Sequence, residues 1–280
     1  MRLRASVATP LTAAGVVERI RAAVGIPWQA DTVDRIVAGD GDTPVSGIAT
    51  TMMATFDVLR RAVARGCNLV VAHEPTFWSH FDTVDWLQAD PTWRAKRYFI
   101  AANDMVVFRF HDHWHAMTRD GIDIGMTRAM GWQEQADPAH PGEFVFEGQT
   151  LAQLAARLAQ RLDARSMRIL GDPDLPVRRA VASWGYADIT RLRATAARAD
   201  VDLLIVGEAR EWELVPYIAD QVAAGKRMAL VVLGHVASEQ EGMRDCAQWL
   251  RGVIPGMAVE FIPADEPLRG YVPPGGPGAG

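Results

Sequence analysis

Short apolar runs with the composition of β-strands alternate with longer segments of helical periodicity along most of the chain. The runs "CNLVVAHEP" at residues 67–75 and "VDLLIVGEA" at residues 201–209 are typical of buried strands, whereas "TLAQLAARLAQRLD" at residues 150–163 repeats leucine at helical spacing. Strands that alternate with helices favour parallel or mixed sheets covered by helices. The sequence therefore predicts an α/β protein.

The alternation occurs in two stretches, which the loop-like sequence "DPAHPGE" at residues 137–143 separates. We predict two α/β lobes with mixed sheets flanked by helices, an N-terminal lobe over residues 1–140 and a C-terminal lobe over residues 141–265. Residues 266–280 are rich in proline and glycine and offer little to bury, so they are predicted to form a disordered tail.

Composition narrows the classes of partner and the cellular setting. A net charge of -5 and the lack of a basic run argue against a general nucleic-acid binder. We find no apolar stretch suited to a signal peptide or a membrane-spanning helix, and we expect no membrane association. Cys67 and Cys246 lack the spacing of a zinc motif or a disulfide framework. We expect both to be buried and reduced, which favours a cytoplasmic location.

Histidines and carboxylates are concentrated where predicted strands end, which is the edge at which open α/β sheets bind ligands. Five of the seven histidines lie at or just beyond three such ends. The candidate metal ligands are His73, Glu74, His111, His115, His235 and Glu239. Histidine nitrogen and carboxylate oxygen together suit Zn, Fe, Mn, Co or Ni. Up to six ligands exceed the need of one tetrahedral ion, so the pattern favours two metal ions that share a carboxylate.

Other polar residues near these strand ends are weaker candidates. His80 and His140 lie in loops of mixed polarity and are expected to be ordinary polar residues. Asp112 and His113 lie in a segment that we predict to be extended, where alternation is expected to turn them away from the two neighbouring histidines.

A resemblance to a known family rests mainly on three segments, "VVAHEPTFW" at residues 70–78, "LGHVASEQEGM" at 233–243 and "HDHWHAMTRDGIDIGMTRAMG" at 111–131. They resemble, in this order, the strand ending in His-His-Pro, the Gly-His-x-x-[Ser/Thr]-Glu-x-x-Gly signature and the His-x-x-x-Asp segment of the Nif-three-like (NGG-one interacting factor three-like) proteins. Some members of that family are called GTP cyclohydrolase 1 type 2 homologs. The resemblance extends over roughly residues 12 to 262.

The resemblance implies two α/β lobes with a dinuclear metal site in the cleft between them, and a homo-oligomer that is commonly a hexamer. The chain length matches the short form of the family. By position, His73 matches the first family histidine, Glu74 stands where a second histidine is usual, and His115 stands where the family has aspartate. The two exchanges leave the number of histidine and carboxylate ligands unchanged.

The remaining ligands match the family more directly. His235 and Glu239 stand at the equivalent signature positions, with Glu239 as the implied bridging carboxylate, and His111 matches a frequently present histidine. The resemblance therefore implies two divalent transition-metal ions (Zn, Fe, Mn or Ni) held by these residues.

Paired metals in an α/β cleft predict a hydrolase that acts on a small, nucleotide-like or heterocyclic substrate. Glu208, or alternatively Glu211, is the expected general acid or base. No glycine-rich phosphate loop precedes a helix, so the residues themselves do not single out GTP. Two alternatives stay open. One is a non-catalytic oligomeric metal-binding scaffold or regulatory partner, and the other is a decayed site that binds no metal.

Overall fold

The structure, a computed structural model, describes residues 10–270. Helices and strands alternate along this part of the chain, as predicted. The strands are β1 (Ile36–Ala38), β2 (Ile48–Thr51), β3 (Leu69–Ala72), β4 (Val106–Arg109), β5 (Glu143–Thr150), β6 (Arg168–Leu170), β7 (Pro176–Tyr186), β8 (Leu203–Glu208), β9 (Ala229–Val232) and β10 (Val259–Phe261). The α-helices are α1 (Ala13–Ala23), α2 (Phe56–Ala64), α3 (Pro91–Ala102), α4 (Asp112–Ala116), α5 (Gly121–Met130), α6 (Leu151–Leu162), α7 (Ile189–Ala197), α8 (Glu211–Ala223) and α9 (His235–Val253). A short 3-10 helix spans Asp85–Leu87.

The strands form two five-stranded mixed sheets, in agreement with the predicted fold class. In the first sheet the strand order is β1-β4-β3-β2-β10, and β1 pairs antiparallel with β4 while the other neighbours are parallel. Every residue of β2, β3 and β4 is buried, which is why these strands are almost continuously apolar. Because β2, β3 and β4 are parallel, their carboxyl ends meet at one edge of the sheet.

The second sheet has the order β5-β7-β8-β9-β6. The central strands β7, β8 and β9 are parallel, and the edge strands β5 and β6 are antiparallel to their neighbours. One face is covered by α7 and α8, whose Leu192, Leu214 and Ile218 belong to the same buried cluster as Leu204 and Leu230 of the sheet. The sheet thereby gains the helical cover that the alternating sequence predicts.

The described chain divides into two compact units. The first comprises residues 10–121 and Met243–Ala264, and the second comprises Ile122–Gly242 and residues 265–270. This division differs from the predicted boundary at residue 140, since the chain enters the second unit earlier and returns to the first within α9. The return follows from pairing: β10 extends the first sheet beside β2, and the Thr50 hydroxyl donates to the Met243 carbonyl oxygen at 2.9 Å.

Two local predictions are confirmed, namely the helix in the segment 150–163 and the burial of both cysteines. Thr150 caps the N-terminus of α6 with its hydroxyl and forms a capping box with Gln153. Cys67 and Cys246 are free and buried. No helix within residues 10–270 is long and apolar enough to cross a membrane. Residues 266–270 of the predicted tail form no helix or strand, and its residues 271–280 lie outside the described part of the chain.

One local prediction is wrong. The segment after β4 was expected to stay extended through His115, but β4 ends at Arg109 and residues 112–116 form the helix α4. The short strands β1 and β6 were not predicted, and neither contains a fully buried residue.

Candidate metal centre

Three histidines of the first unit converge at the carboxyl ends of β3 and β4. One ring nitrogen from each of His73, His111 and His115 lies within 4.8 Å of the other two. The ring centroids are 4.5 to 5.0 Å apart. His73 follows β3 directly and is fully buried, whereas His111 and His115 are half-buried. The predicted convergence of these three residues is therefore present in the structure.

The Nδ1 atom of each histidine faces an oxygen acceptor. The Nδ1 of His73 lies 3.2 Å from the Phe110 carbonyl oxygen, that of His111 lies 2.9 Å from Asp112 Oδ1, and that of His115 lies 2.8 Å from Asp120 Oδ2. Because carbonyl and carboxylate oxygens accept hydrogen bonds, each Nδ1 carries the proton. In the neutral ring Nε2 then has the lone pair that a metal ion needs, and a held Nδ1 is the arrangement found for histidine metal ligands.

The buried carboxylate of Asp34 fixes the helix that brings two of these histidines together. Its Oδ1 accepts from the backbone N–H groups of His111 and Asp112 at 2.6 and 2.9 Å, and its Oδ2 accepts from that of His113 at 2.8 Å. These are the first N–H groups of α4, which have no partner within the helix. The four-residue spacing of His111 and His115 then places both on one face.

His113 and Asp112 support the site rather than joining the histidine group. The Nδ1 of His113 lies 2.7 Å from Asp34, its Nε2 accepts from the Gln29 N–H at 2.9 Å, and its ring stacks on Trp28. His113 does face away from the other two histidines, but the extended-chain reason was wrong. Residues two apart share a face in a strand, and it is the helix that separates them.

Asp112 connects the histidine group to the loop before β1. Its Oδ2 accepts from the Thr32 hydroxyl at 2.8 Å and the Val33 N–H at 3.0 Å, while Oδ1 faces His111. The hydrogen bond from His111, aided by those from Val33 and Thr32, holds the pKa of Asp112 well below its usual range against the opposing effect of burial. Asp112 is therefore a carboxylate that orients a candidate ligand.

Glu74 adds an oxygen donor beside the histidines. Its Oε1 lies 3.8 Å from His111 Nε2 and its Oε2 lies 3.5 Å from the guanidinium of Arg109. Glu74 and Arg109 are both buried, and Arg109 also donates from Nε to the His73 carbonyl oxygen at 3.2 Å. Burial lowers the pKa of Arg109, and the Glu74 carboxylate opposes that effect.

A second group of donors lies in the second unit, at the start of α9. The Nε2 of His235 lies 3.1 Å from Glu239 Oε2, and its Nδ1 lies 2.9 Å from Glu208 Oε2. Glu239 is buried, whereas the Glu208 side chain is largely exposed at the end of β8. Of the two candidate acid–base residues, Glu208 thus contacts His235, and Glu211 forms an ion pair with Arg168.

Two glycines permit this close packing at the start of α9. A Cβ on Gly185 would lie 2.1 Å from Glu239 Oε1, and one on Gly207 would lie 2.0 Å from the Ser238 hydroxyl. The Ser238 hydroxyl accepts from the Gly185 N–H at 3.1 Å and donates to the His235 carbonyl oxygen at 2.8 Å. The signature residues therefore fix the helix start as well as supplying candidate ligands.

The donor set fits a transition-metal ion. Three histidine nitrogens with a carboxylate oxygen beside them are the ligands that Zn, Fe, Mn, Co and Ni accept, and the held Nδ1 atoms meet the requirement for oriented rings. His80 and His140 lie outside both groups. His140 is exposed and forms a 3.3 Å pair with Asp137, whose other partners include Arg179.

The fold and these groups define an α/β protein with candidate metal sites built from histidine and carboxylate. The chain belongs to the family described as Duf34/NIF3 (NGG1p interacting factor 3), which matches residues 22–267. The resemblance inferred from the three sequence segments is thereby confirmed.

Individual relatives are similar over most of the chain. A protein of Clostridium acetobutylicum called GTP cyclohydrolase 1 type 2 homolog is 22% identical over 236 residues, which cover 80% of this chain and 83% of the relative. One of the same name from Streptomyces coelicolor is 26% identical over 223 residues, 72% of each chain. The crystal structure of a hypothetical protein from Staphylococcus aureus aligns with a TM-score of 0.73 at 16% identity, covering 94% of this chain and 100% of that one. This last likeness establishes the fold alone.

Sequence reasoning missed three residues that orient the site, which are Asp34, Arg109 and Asp120. Arg109 carried a usable signal, since it is the one charged residue in the apolar run "MVVFRF" at residues 105–110. Asp34 lies 77 residues before His111 in the chain and gave no local indication of its role.

Proposed function

We propose that the protein binds two divalent transition-metal ions (Zn, Fe, Mn or Ni) and hydrolyses a small substrate of nucleotide-like or heterocyclic character. The observation that carries this proposal is the convergence of His73, His111 and His115, each with its Nδ1 held by an oxygen acceptor. Such preorientation is typical of histidine metal ligands, in which a hydrogen bond at one ring nitrogen orients the other nitrogen toward the ion.

The ligands divide between the two groups described above. His73, Glu74, His111 and His115 are proposed to supply ligands from the first unit, and His235 and Glu239 from the second. Glu239 is the proposed bridging carboxylate, in accordance with its signature position. Its burial beside Gly185 supports a fixed carboxylate at that place.

Metal ions bound by these residues would supply Lewis acidity and lower the pKa of coordinated water. Glu208 is the proposed general acid or base. Its carboxylate is exposed enough to exchange protons with solvent, and its contact with His235 Nδ1 keeps it beside a proposed ligand. The substrate class is extended from the relatives called GTP cyclohydrolase 1 type 2 homolog, whose name indicates chemistry on a heterocyclic ring.

The test of catalysis is a hydrolysis screen with metal-reconstituted protein against nucleotides, nucleosides and heterocyclic amides, followed by chromatography. We expect turnover of at least one class, and we expect it to be lost in His115→Ala and strongly reduced in Glu208→Gln. Glu211→Gln is the matched control and should keep the activity, since Glu211 pairs with Arg168. Full metal occupancy without turnover of any class would contradict the proposed hydrolase activity, whereas the proposed metal binding would still stand.

A second candidate function is a non-catalytic metal-binding scaffold. The specific observation in its favour is the number of donors in the first unit, since three histidines and Glu74 equal the four ligands of a closed structural zinc site. Electronic spectra of Co²⁺-substituted protein distinguish a hydrolase from a non-catalytic scaffold. A spectrum that shifts on adding azide indicates an open position and supports catalysis, whereas an unchanged spectrum supports the scaffold.

Two further properties are proposed here. The first is a homo-oligomer, as the family resemblance implies, with a hexamer as the expected form. Light scattering coupled to size-exclusion chromatography tests this subunit number. A cytoplasmic location is also proposed, and the free, buried thiols of Cys67 and Cys246 are its support.

A further inference from the structure

Arg109 is a fully buried arginine at the carboxyl end of β4, where it aligns with Ala72 at the end of β3. Its Nε donates to the His73 carbonyl oxygen at 3.2 Å, and one terminal nitrogen donates to the His80 carbonyl oxygen. The guanidinium therefore contacts the backbone of His73, which is the first histidine of the group, and that of His80. A buried charge requires a compensating partner, because desolvation is costly.

Two buried carboxylates supply that compensation. Glu74 Oε2 lies 3.5 Å and Asp82 Oδ2 lies 3.7 Å from terminal nitrogens of Arg109. Of these two carboxylates, Glu74 is the one that also faces a histidine of the group.

The two oxygens of Glu74 face different partners. Oε2 faces the guanidinium of Arg109, and Oε1 lies 3.8 Å from Nε2 of His111, which is a proposed ligand atom. A carboxylate held in this way can offer one oxygen to a metal ion while the other stays with the arginine. A histidine at position 74 could not neutralise the guanidinium in the same way.

We infer that Arg109 is a positioning residue that holds Glu74 as a single-oxygen anionic ligand beside His111. This inference rests on the proposed metal-binding function and adds a residue to it. Glu74 and Arg109 act as one unit, so Glu74 can serve as a ligand in this way only while Arg109 holds its other oxygen. Removal of either partner weakens metal binding, and removal of the second then adds little.

The test is a double-mutant cycle on the full chain with Co²⁺ as the probe. The affinity for Co²⁺ is measured by competition with a chromophoric chelator for wild type, Arg109→Lys, Glu74→Gln and the double variant. Arg109→Lys keeps the charge but loses the planar fork, so we expect affinity to fall by about tenfold or more. In the Glu74→Gln background the same change should alter affinity by less than about twofold.

The visible spectrum of bound Co²⁺ gives a second readout, because it responds to the ligand field rather than to stability. We expect it to change in Arg109→Lys and to be the same in Glu74→Gln and the double variant. Equal losses of affinity from Arg109→Lys in both backgrounds would overturn the inference, because Arg109 would then act only through the fold. A wild-type protein that binds no Co²⁺ would overturn the proposed function as well.

A further variant leaves Arg109 in place in case its replacement prevents folding. Glu74→His keeps a possible ligand but removes the counter-charge of the guanidinium. We expect weaker Co²⁺ binding and a lower melting temperature than in wild type. Wild-type affinity and stability in Glu74→His would overturn the inference, since Arg109 would then not require the carboxylate.

Discussion

The Nδ1 atom of His111 lies 2.9 Å from Oδ1 of Asp112, the next residue in the chain. The carboxylate fixes the orientation of the ring, whose Nε2 lies 3.8 Å from Glu74 Oε1. We therefore expect Asp112→Ala to reduce the affinity for Zn²⁺ by about 10- to 100-fold, the usual cost of losing such a partner. Competition with a chelator measures this change. Thr32→Val is the comparison, because it removes a contact to Oδ2 and the side-chain acceptor of the Asp34 N–H but leaves the His111 contact intact. Equal losses in the two variants would contradict the assignment.

Asp34 is expected to be important for stability as well as for the site. Its carboxylate accepts three backbone N–H groups of α4 and faces His113 Nδ1 at 2.7 Å. Asp34→Ala would leave these groups buried without their acceptor and should lower the free energy of unfolding by about 3 kcal/mol. Urea unfolding of the wild-type protein and the variant measures this change in the free energy of unfolding. Asp31→Ala, at an exposed position in the same loop, should change stability by less than about 0.5 kcal/mol.

The sequence could predict the fold class and most of the candidate site for clear physical reasons. Strands such as β3, buried on both faces, are continuous apolar runs, and ligands follow them because parallel strands end at one edge. The helix α4 could not be predicted in the same way. It is five residues long, and its first N–H groups donate to Asp34, which is far away in the chain. Long-range partners of this kind leave no periodic pattern.

The same limit applies to the division of the chain. The predicted boundary at residue 140 followed a proline- and glycine-containing loop, whereas the compact units separate at Gly121 and again within α9. The sequence of α9 is continuous across that second boundary, so composition cannot reveal it. The return depends on the pairing of β10 with β2, which connects residues more than two hundred positions apart.

Gly185 is expected to be essential for the position of Glu239. Gly185 has a φ of 66°, and an added Cβ would lie 2.1 Å from Glu239 Oε1. Gly185→Ala should therefore displace this carboxylate and reduce the metal content. Gly148→Ala is a matched control, since Gly148 has a φ of 67° and open space around it. Both variants should lose about 1 to 2 kcal/mol of stability through the backbone, but only Gly185→Ala should lose metal. Equal metal content in the two would contradict the role of Gly185.

Stability should fall in acid because of Glu143, which faces Arg179 at 2.8 Å and Arg198 at 3.0 Å. The hydrogen bond from Arg198 lowers the pKa of Glu143 below its ordinary value of 4.5, against the effect of burial. Because the folded pKa is the lower one, the contribution of Glu143 is fully present above that ordinary value and is lost as the pH falls through the folded pKa.

The check is the urea midpoint of wild type and Glu143→Gln, measured between about pH 6 and about pH 3. The wild-type protein should lose more stability over this range than the variant, since the variant lacks the titrating group. Parallel curves for the two proteins would contradict the assignment.

The most direct test of the central claim is the metal content of protein purified without added metal, measured by elemental analysis. Wild type is compared with His111→Ala, Glu239→Ala and His80→Ala, where His80 is an exposed histidine outside both groups. We predict about two equivalents of Zn, Fe, Mn or Ni per chain in wild type and in His80→Ala, with a loss of at least about one equivalent in each of the other variants. Wild-type protein that holds no stoichiometric metal, even after reconstitution, would contradict the account.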